Sequence, residues 1–241
     1  MNQFARLGRN CFALAMLAFG VQHFVYARYA TGLGPPWIPG HTLRACLMGT
    51  VLVLAAVALL TGRKARCAAL ILAVVLAIYF LLAYAPRLAG NLHDPGPWSS
   101  GSEILAFCGI AWALSRLLAK NPFVPPPFGV MLFAVTLIVF GVQHLLYGPF
   151  VAGIVPAWIP GRLFFAYFVG AAFLAATVAI LTGIQSRLAA TLLGIMFFSW
   201  VFILHLPRVI AASRNGNEWT SMFVALAMSG GAWIVAGSAR D

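Results

Sequence analysis

Apolar segments close to the length that crosses a lipid bilayer dominate this chain and restrict it to helical membrane folds. Eight of them run at about 9–28, 42–61, 66–86, 102–119, 130–149, 162–182, 187–208 and 219–237. A membrane-spanning helix needs about 20 predominantly apolar residues. Of the 241 residues 63% are hydrophobic and 8% charged, far from the composition of soluble domains. Because the segments are continuous rather than alternating, they also exclude a transmembrane β-barrel.

The second half of the sequence repeats the first at a displacement of 121 residues. FGVQH at 19–23 recurs at 140–144, and PPWIPG at 35–40 recurs as PAWIPG at 156–161. Tryptophans hold the same register, as Trp98 matches Trp219. The repeat predicts a tandem duplication with four-helix domains at 1–120 and 130–241, joined by a linker at 121–129 whose prolines cannot continue a helix.

Four helices per half would send both halves into the membrane in the same direction. We therefore expect an all-α membrane protein with eight transmembrane helices, as two parallel-repeat four-helix bundles related by a pseudo-twofold axis along the membrane normal. Lys and Arg number nine on the side of both termini and six on the other side. The positive-inside rule then places both termini in the cytoplasm.

The net charge of +11 comes from single basic residues scattered between the apolar segments. This pattern sets orientation and favours contact with anionic membrane lipid, and it does not indicate nucleic acid. The four cysteines stand alone, without the spacing of a metal site. We expect them to pack as small apolar side chains.

Gln22 and His23 stand inside an apolar segment, near its predicted outer end. Phe19, His23 and Tyr26 share one helix face because they are spaced i, i+4 and i+7. Polar groups are costly in lipid, so this face is expected to look into the protein or into water. The alternative is structural: a histidine near a helix end can bind a neighbouring carbonyl and fix a helix contact.

On this basis we predict two pseudo-symmetric ligand-binding pockets at the outer membrane face. The loops around the repeated tryptophans would cover them, and the arginines of the repeated Pro-Arg pairs would either reach to lipid headgroups or add positive charge. The two pockets need not be equal, because Tyr84 becomes His205. The candidate ligand-binding residues are Gln22, His23, Tyr26, Trp37 and Arg87 in the first half and Gln143, His144, Tyr147, Trp158 and Arg208 in the second.

Two further patterns have structural interpretations. Ser100 and Glu103 have the S-x-x-E spacing of a capping box, which predicts a helix start there. Small residues four apart, Ala45/Gly49 and Ala166/Gly170, predict close packing of the second and sixth helices.

The order G-x-Q-H-F-x-Y, then PPWIPG, then an apolar helix and a basic turn resembles the DoxX-like family of small four-helix bacterial membrane proteins, with one unit in each half. The resemblance implies a bacterial cytoplasmic (inner) membrane protein, with a redox or maturation protein as a possible partner. Family members often carry a glutamate in the second helix after a glycine. The corresponding stretches here, GTVL at 49–52 and GAAF at 170–173, contain no acid.

Three functions fit these features. The first is an accessory or redox-associated membrane protein whose extracytoplasmic-side pocket binds an apolar ligand such as a quinone, or a partner protein; His, Gln, Tyr and Trp suit a quinone ring and its carbonyls. The second is a membrane subunit of a quinone-linked oxidoreductase, which would need a bound quinone or a partner. The third is a small-molecule transporter. Haem ligation by His23 and His144 is a minor option.

Overall fold

The computed structural model describes residues 1–26, 40–119 and 128–239, and within these ranges the chain is helical and has no β-strand. The predicted all-helical architecture is confirmed for this part of the chain. Its helices are α1 (Gln3–Val25), α2 (His41–Thr61), α3 (Ala65–Gly90), α4 (Pro95–Leu117), α5 (Phe128–Leu146), α6 (Gly148–Ile154), α7 (Arg162–Thr182), α8 (Ser186–Ala211) and α9 (Gly216–Ser238).

Seven of the described helices are long and apolar enough to cross a membrane: α1, α2, α3, α5, α7, α8 and α9. This is the composition of a multi-pass membrane protein. The helix α4 is 23 residues long but is not among the seven. Its first two turns, PGPWSSGSE at 95–103, carry proline, glycine, serine and an acid, which lower its mean hydropathy. The eighth span therefore stays a prediction.

Tight turns join α2 to α3 and α7 to α8, and they have the same backbone conformation. Each of α2 and α7 ends at a glycine with positive φ, +75° at Gly62 and +76° at Gly183, a conformation that residues with a Cβ rarely adopt. Lys64 and Gln185 follow with φ of 53° and 55° before the next helix begins. The two turns are 121 residues apart, so this local structure recurs at the displacement of the sequence repeat.

Each Pro-Arg pair lies inside a helix, and not at its end as the sequence suggested. Pro86 lies in α3, which continues to Gly90, and Pro207 lies in α8, which continues to Ala211. A π-helical turn precedes each proline, at Phe80–Tyr84 and Val201–His205. Proline has no N–H and clashes with the carbonyl four residues earlier. One widened turn lets the helix pass the proline without stopping.

Contacts between neighbouring helices recur in the two halves. Within the halves, α1 packs on α2 as α5 packs on α7, and α3 packs on α4 as α8 packs on α9. Across the halves, α1 packs on α9 and α4 packs on α5. Glycines allow the close cross-half contacts, since a Cβ on Gly8 would overlap the carbonyl oxygen of Gly230 and a Cβ on Gly129 that of Gly109.

The sequence predicted close packing at small residues of the second and sixth long helices, which are α2 and α7. At these residues α2 packs against α1, and α7 packs against α5. A Cβ on Gly49 in α2 would lie 3.0 Å from the carbonyl oxygen of Gly20 in α1. A Cβ on Gly170 in α7 would lie 3.1 Å from that of Gly141 in α5. Gly20 and Gly141 are the glycines of the repeated FGVQH, so the repeat places a glycine on both sides of each contact.

Candidate functional site

Five helices surround a cavity of about 480 Å³ in the first half of the protein. The helices α1, α2, α3, α4 and α9 form a closed ring in which each contacts the next. All five contribute residues to the cavity wall, α9 together with the residues that precede it. The cavity therefore lies inside a helix bundle rather than on its lipid-facing surface.

The floor of the cavity is apolar and its mouth is polar. Buried side chains form the floor: Met16, Leu52, Leu76 and Phe107. Polar side chains form the mouth, where exposed residues just before and at the start of α9 join the end of α1: Gln22, Tyr26, Arg214, Asn215 and Asn217. At 1.5 Å per residue along a helix, Met16 and Tyr26 lie about 15 Å apart along α1. The cavity thus grades from apolar to polar over that depth.

His23 of α1 and Glu103 of α4 lie between floor and mouth, at the same level of the wall. Their level follows from the ring contact below them, where the centroids of Phe19 and Phe107 lie 5.7 Å apart. The C-terminal end of α1 and the N-terminal end of α4 both lie near the mouth, so the two helices run in opposite directions. His23 is therefore one turn above Phe19, and Glu103 one turn above Phe107.

Two tyrosines of α3 complete this level of the wall. The rings of Tyr79 and Tyr84 meet edge-on, with their centroids 5.8 Å apart. The guanidinium carbon of Arg87 lies 5.9 Å from the centroid of the Tyr84 ring. Arg87 thus supports Tyr84, and it is not among the residues that line the cavity.

The equivalent volume in the second half contains a cluster of aromatic side chains. Leu52, Leu76 and Tyr79 correspond to Phe173, Phe197 and Trp200. The ring centroids of these three lie 5.2 to 6.1 Å from each other. His144, the counterpart of His23, meets the Phe173 ring edge-on at a centroid distance of 5.2 Å. The two halves therefore differ in this region, with a cavity in the first and packed rings in the second.

The two glutamines of the repeat join the halves of the chain. The amide nitrogen of Gln143 donates to the carbonyl of Pro95 at 3.1 Å, and its oxygen accepts from the Ser99 hydroxyl at 3.0 Å. Gln22 makes the equivalent bonds to Gly216, at 3.5 Å, and to Thr220, at 3.3 Å. Gln22 also lines the cavity, whereas Gln143 does not. These bonds give the glutamines a structural role.

The other predicted residues of the second half are spread over the surface. Tyr147 is 40% exposed and lines, with Gln143, a shallower groove of about 380 Å³ between α4 and α5. Trp158 is 72% exposed in the segment between α6 and α7. Arg208 forms an ion pair with Glu218, with Nε 2.9 Å from the carboxylate oxygen. Trp37, which the sequence also predicted as a ligand-binding residue, lies outside the described residues.

Glu103 is a wall residue of the cavity and not the helix cap that its spacing from Ser100 predicted. The helix α4 begins two turns earlier at Pro95, where the side chain of Asp94 caps it by accepting from the Gly96 N–H at 2.9 Å. Ser100 lies inside the helix as well and also lines the cavity. The sequence offered a signal, since the equivalent of Glu103 is Val224, so the acid belongs to one half only.

Trp98 and Trp219 lie in the first turns of α4 and α9. The indole N–H of Trp98 donates to the carbonyl of Leu92 at 3.0 Å, and that of Trp219 to the carbonyl of Ser213 at 2.8 Å. Each bond ties the first turn of α4 or α9 to the segment that leads into it. The matched tryptophans thus have a structural role in both halves.

The two histidines of the repeat belong to different helix pairs. His23 packs against Gly49 of α2, and His144 packs against Gly170 of α7. The Nδ1 of each imidazole bonds the carbonyl oxygen four residues earlier, Phe19 or Phe140, at 2.8 Å. Each histidine therefore takes part in a helix contact within its own half.

Comparisons of the chain with protein-family models, with curated proteins and with solved structures found no match.

Proposed function

We propose that this chain is an integral membrane protein that binds a small amphipathic molecule in the cavity of its first half. The observation that carries the proposal is the difference between the halves. Where the second half has three packed aromatic rings, the first half has smaller side chains around about 480 Å³ of space with a polar mouth. Ligand pockets have this size, with apolar walls and a few convergent polar groups.

The repeat supports a tandem origin with eight transmembrane helices. Helix contacts, glycine crossings and the glutamine bonds recur at a displacement of 121 residues. In this proposal α4 is the eighth span, and its polar first turns sit at the membrane surface and in the cavity wall. The positive-inside rule then places both termini in the cytoplasm and the cavity mouth on the extracytoplasmic side.

The resemblance to DoxX-like proteins supports a place in a bacterial inner membrane and an accessory role beside a redox or maturation protein. A quinone is the leading ligand within this proposal, because the cavity combines an apolar floor for a hydrocarbon body with His23, Tyr79 and Tyr84 beside the polar end. A role as the membrane subunit of a quinone-linked oxidoreductase would use the same site. The buried apolar floor favours binding over passage through the membrane, and so favours these roles over transport.

The proposal is tested by native mass spectrometry of the purified protein, with lipid extraction and a visible spectrum. The variant Leu52→Phe/Leu76→Phe places in the first half the residues that the second half carries. Leu47→Phe/Ile78→Phe is the matched control, since these side chains on the same helices are 59% and 50% exposed.

We expect the parent and the control variant to retain a small molecule that the cavity-filling variant has lost. Equal retention by all three proteins, or retention by none after gentle extraction and reloading with a quinone in its oxidised and its reduced form, would refute the proposed site.

A further inference from the structure

The middle of the cavity wall presents hydrogen-bond acceptors, and we infer that the site selects a ligand with a hydrogen-bond donor, a hydroxyl or an amine N–H, over a ligand that only accepts. The two acceptors are the Nε2 of His23 and the carboxyl group of Glu103. The inference rests on the proposed function of the cavity as a ligand site. It adds the chemistry of the ligand's polar end, which cavity size and apolar walls do not determine.

A backbone carbonyl fixes the tautomer of His23. The Nδ1 of His23 lies 2.8 Å from the carbonyl oxygen of Phe19. A carbonyl only accepts, so the proton of this hydrogen bond must be on Nδ1. In the neutral imidazole the other nitrogen, Nε2, is then an acceptor. His23 lines the cavity, and no hydrogen bond to Nε2 is formed by residues 1–26, 40–119 or 128–239. A ligand is thus offered an acceptor here.

Glu103 supplies the second acceptor at the same level of the wall. Its side chain lines the cavity, and within the described part of the chain its carboxyl group has neither a hydrogen bond nor an ion pair. A carboxyl group that faces a largely apolar cavity without a partner is costly. Val224, the counterpart of Glu103, also lines this cavity, so of the two equivalent positions only Glu103 brings a polar group to the wall. A donor on a bound ligand would satisfy this group.

The two tyrosines nearby do not reverse this preference. Tyr79 and Tyr84 meet edge-on, and each hydroxyl can accept a hydrogen bond as well as donate one. The acceptors of His23 and Glu103 lie one helical turn above the Phe19–Phe107 contact, where the polar end of a ligand would sit with its apolar body on the floor. For a quinone ligand this preference favours the reduced form. The hydroquinone has two O–H groups that can donate to the wall, whereas the oxygens of the oxidised form only accept.

The test uses probes that differ in the donor alone. They are 4-hexylphenol, its methyl ether 4-hexylanisole, which lacks the donor, and 4-hexylaniline, which carries N–H donors. Calorimetric titrations at pH 8 keep the imidazole and the aniline neutral, and the variant Leu52→Phe/Leu76→Phe in the same detergent corrects for partition into micelles. We expect the phenol or the aniline to bind the parent about tenfold more tightly than the ether, as for one hydrogen bond to a buried polar group.

Variants assign the selectivity to the two acceptors. His23→Phe keeps a ring and removes the acceptor, and Glu103→Val introduces the residue found at position 224. Each variant should bring the ratio of the affinity for the phenol or aniline to the affinity for the ether towards one. Glu103→Gln keeps an acceptor oxygen and should preserve part of this ratio. Thermal unfolding verifies that each variant folds. The affinity ratio measured on the parent protein tests the inference even without the variants.

Two outcomes overturn the inference without harming the proposed function. One is equal or tighter binding of the ether by the parent, and the other is an unchanged ratio in both acceptor-removing variants. If none of the three probes binds the parent above the micelle background, the inference and the proposed site fail together.

Discussion

The hydroxyl of Thr220 donates to the side-chain oxygen of Gln22 at 3.3 Å, although 198 residues separate them in the chain. The counterpart of this bond, at a displacement of 121 residues, runs from Ser99 to Gln143 at 3.0 Å. The polar residues that look misplaced in an apolar helix therefore have two different uses. The glutamines join the halves, and the histidine of the first half faces a cavity.

Replacing Gln143 with leucine should destabilise the protein by about 1–3 kcal/mol, because it removes the two hydrogen bonds between the halves and leaves the Ser99 hydroxyl and the Pro95 carbonyl bonded only to each other. Thermal unfolding in detergent measures the change, with Gln3→Leu at the exposed start of α1 as the control. Ligand binding should be unaffected, since Gln143 does not line the cavity. Reduced binding at unchanged stability would contradict the structural role.

Adding a single methyl group at Gly230 should separate α1 from α9. A Cβ there would lie 2.6 Å from the carbonyl oxygen of Gly8 and 2.7 Å from the backbone nitrogen of Phe12, and neither can move aside alone. We expect Gly230→Ala to lower the free energy of unfolding by about 1–3 kcal/mol. Gly90→Ala, with open space around its Cβ, should be neutral or slightly stabilising. Equal melting temperatures for the two variants would show that the close crossing does not form.

The aromatic cluster of the second half should be more sensitive to truncation than the first half is to filling. Phe173 is 1% exposed, so Phe173→Leu leaves a void and should cost about 1–2 kcal/mol. Leu52→Phe at the equivalent position extends into existing space, and its melting temperature should equal or exceed that of the parent. The reverse order of the two melting temperatures would mean that the halves do not differ in packing as described.

Orientation is tested by single cysteines in a variant whose native cysteines are replaced by alanine. Asp94→Cys precedes α4 at the mouth end of the bundle, and Lys64→Cys lies in the α2–α3 turn at the other end. With both termini in the cytoplasm, an impermeant thiol reagent should label position 94 in intact cells and position 64 only after lysis. The opposite pattern would place the cavity mouth in the cytoplasm.

The helical membrane fold was predictable because apolar length alone specifies it, whereas several local predictions failed for identifiable reasons. Glu103 has the spacing of a cap, but Asp94 starts the helix two turns earlier. Pro86 was expected to end a helix, but a π turn carries the helix past it. Element ends depend on such competition between nearby signals, which spacing alone does not decide.

The position of the cavity could not be read from the motif that first drew attention to it. FGVQH is identical in both halves, yet only His23 faces the cavity, while His144 packs against Phe173. The difference is made by side-chain size on other helices, leucine at 52 and 76 against phenylalanine at 173 and 197. Such a difference becomes interpretable only once the structure shows that these positions converge on one volume.

Mapping the attachment site of a photoreactive ligand tests the central claim most directly. An alkylphenol with a diazirine on its chain would be irradiated with the purified protein, with and without excess 4-hexylphenol, and the labelled peptides identified by mass spectrometry. The account predicts competable labelling of α1 to α4 and the start of α9, around Leu52, Leu76 and Phe107. Competable labelling centred on α5, α7 and α8, or labelling that excess ligand does not reduce, would contradict it.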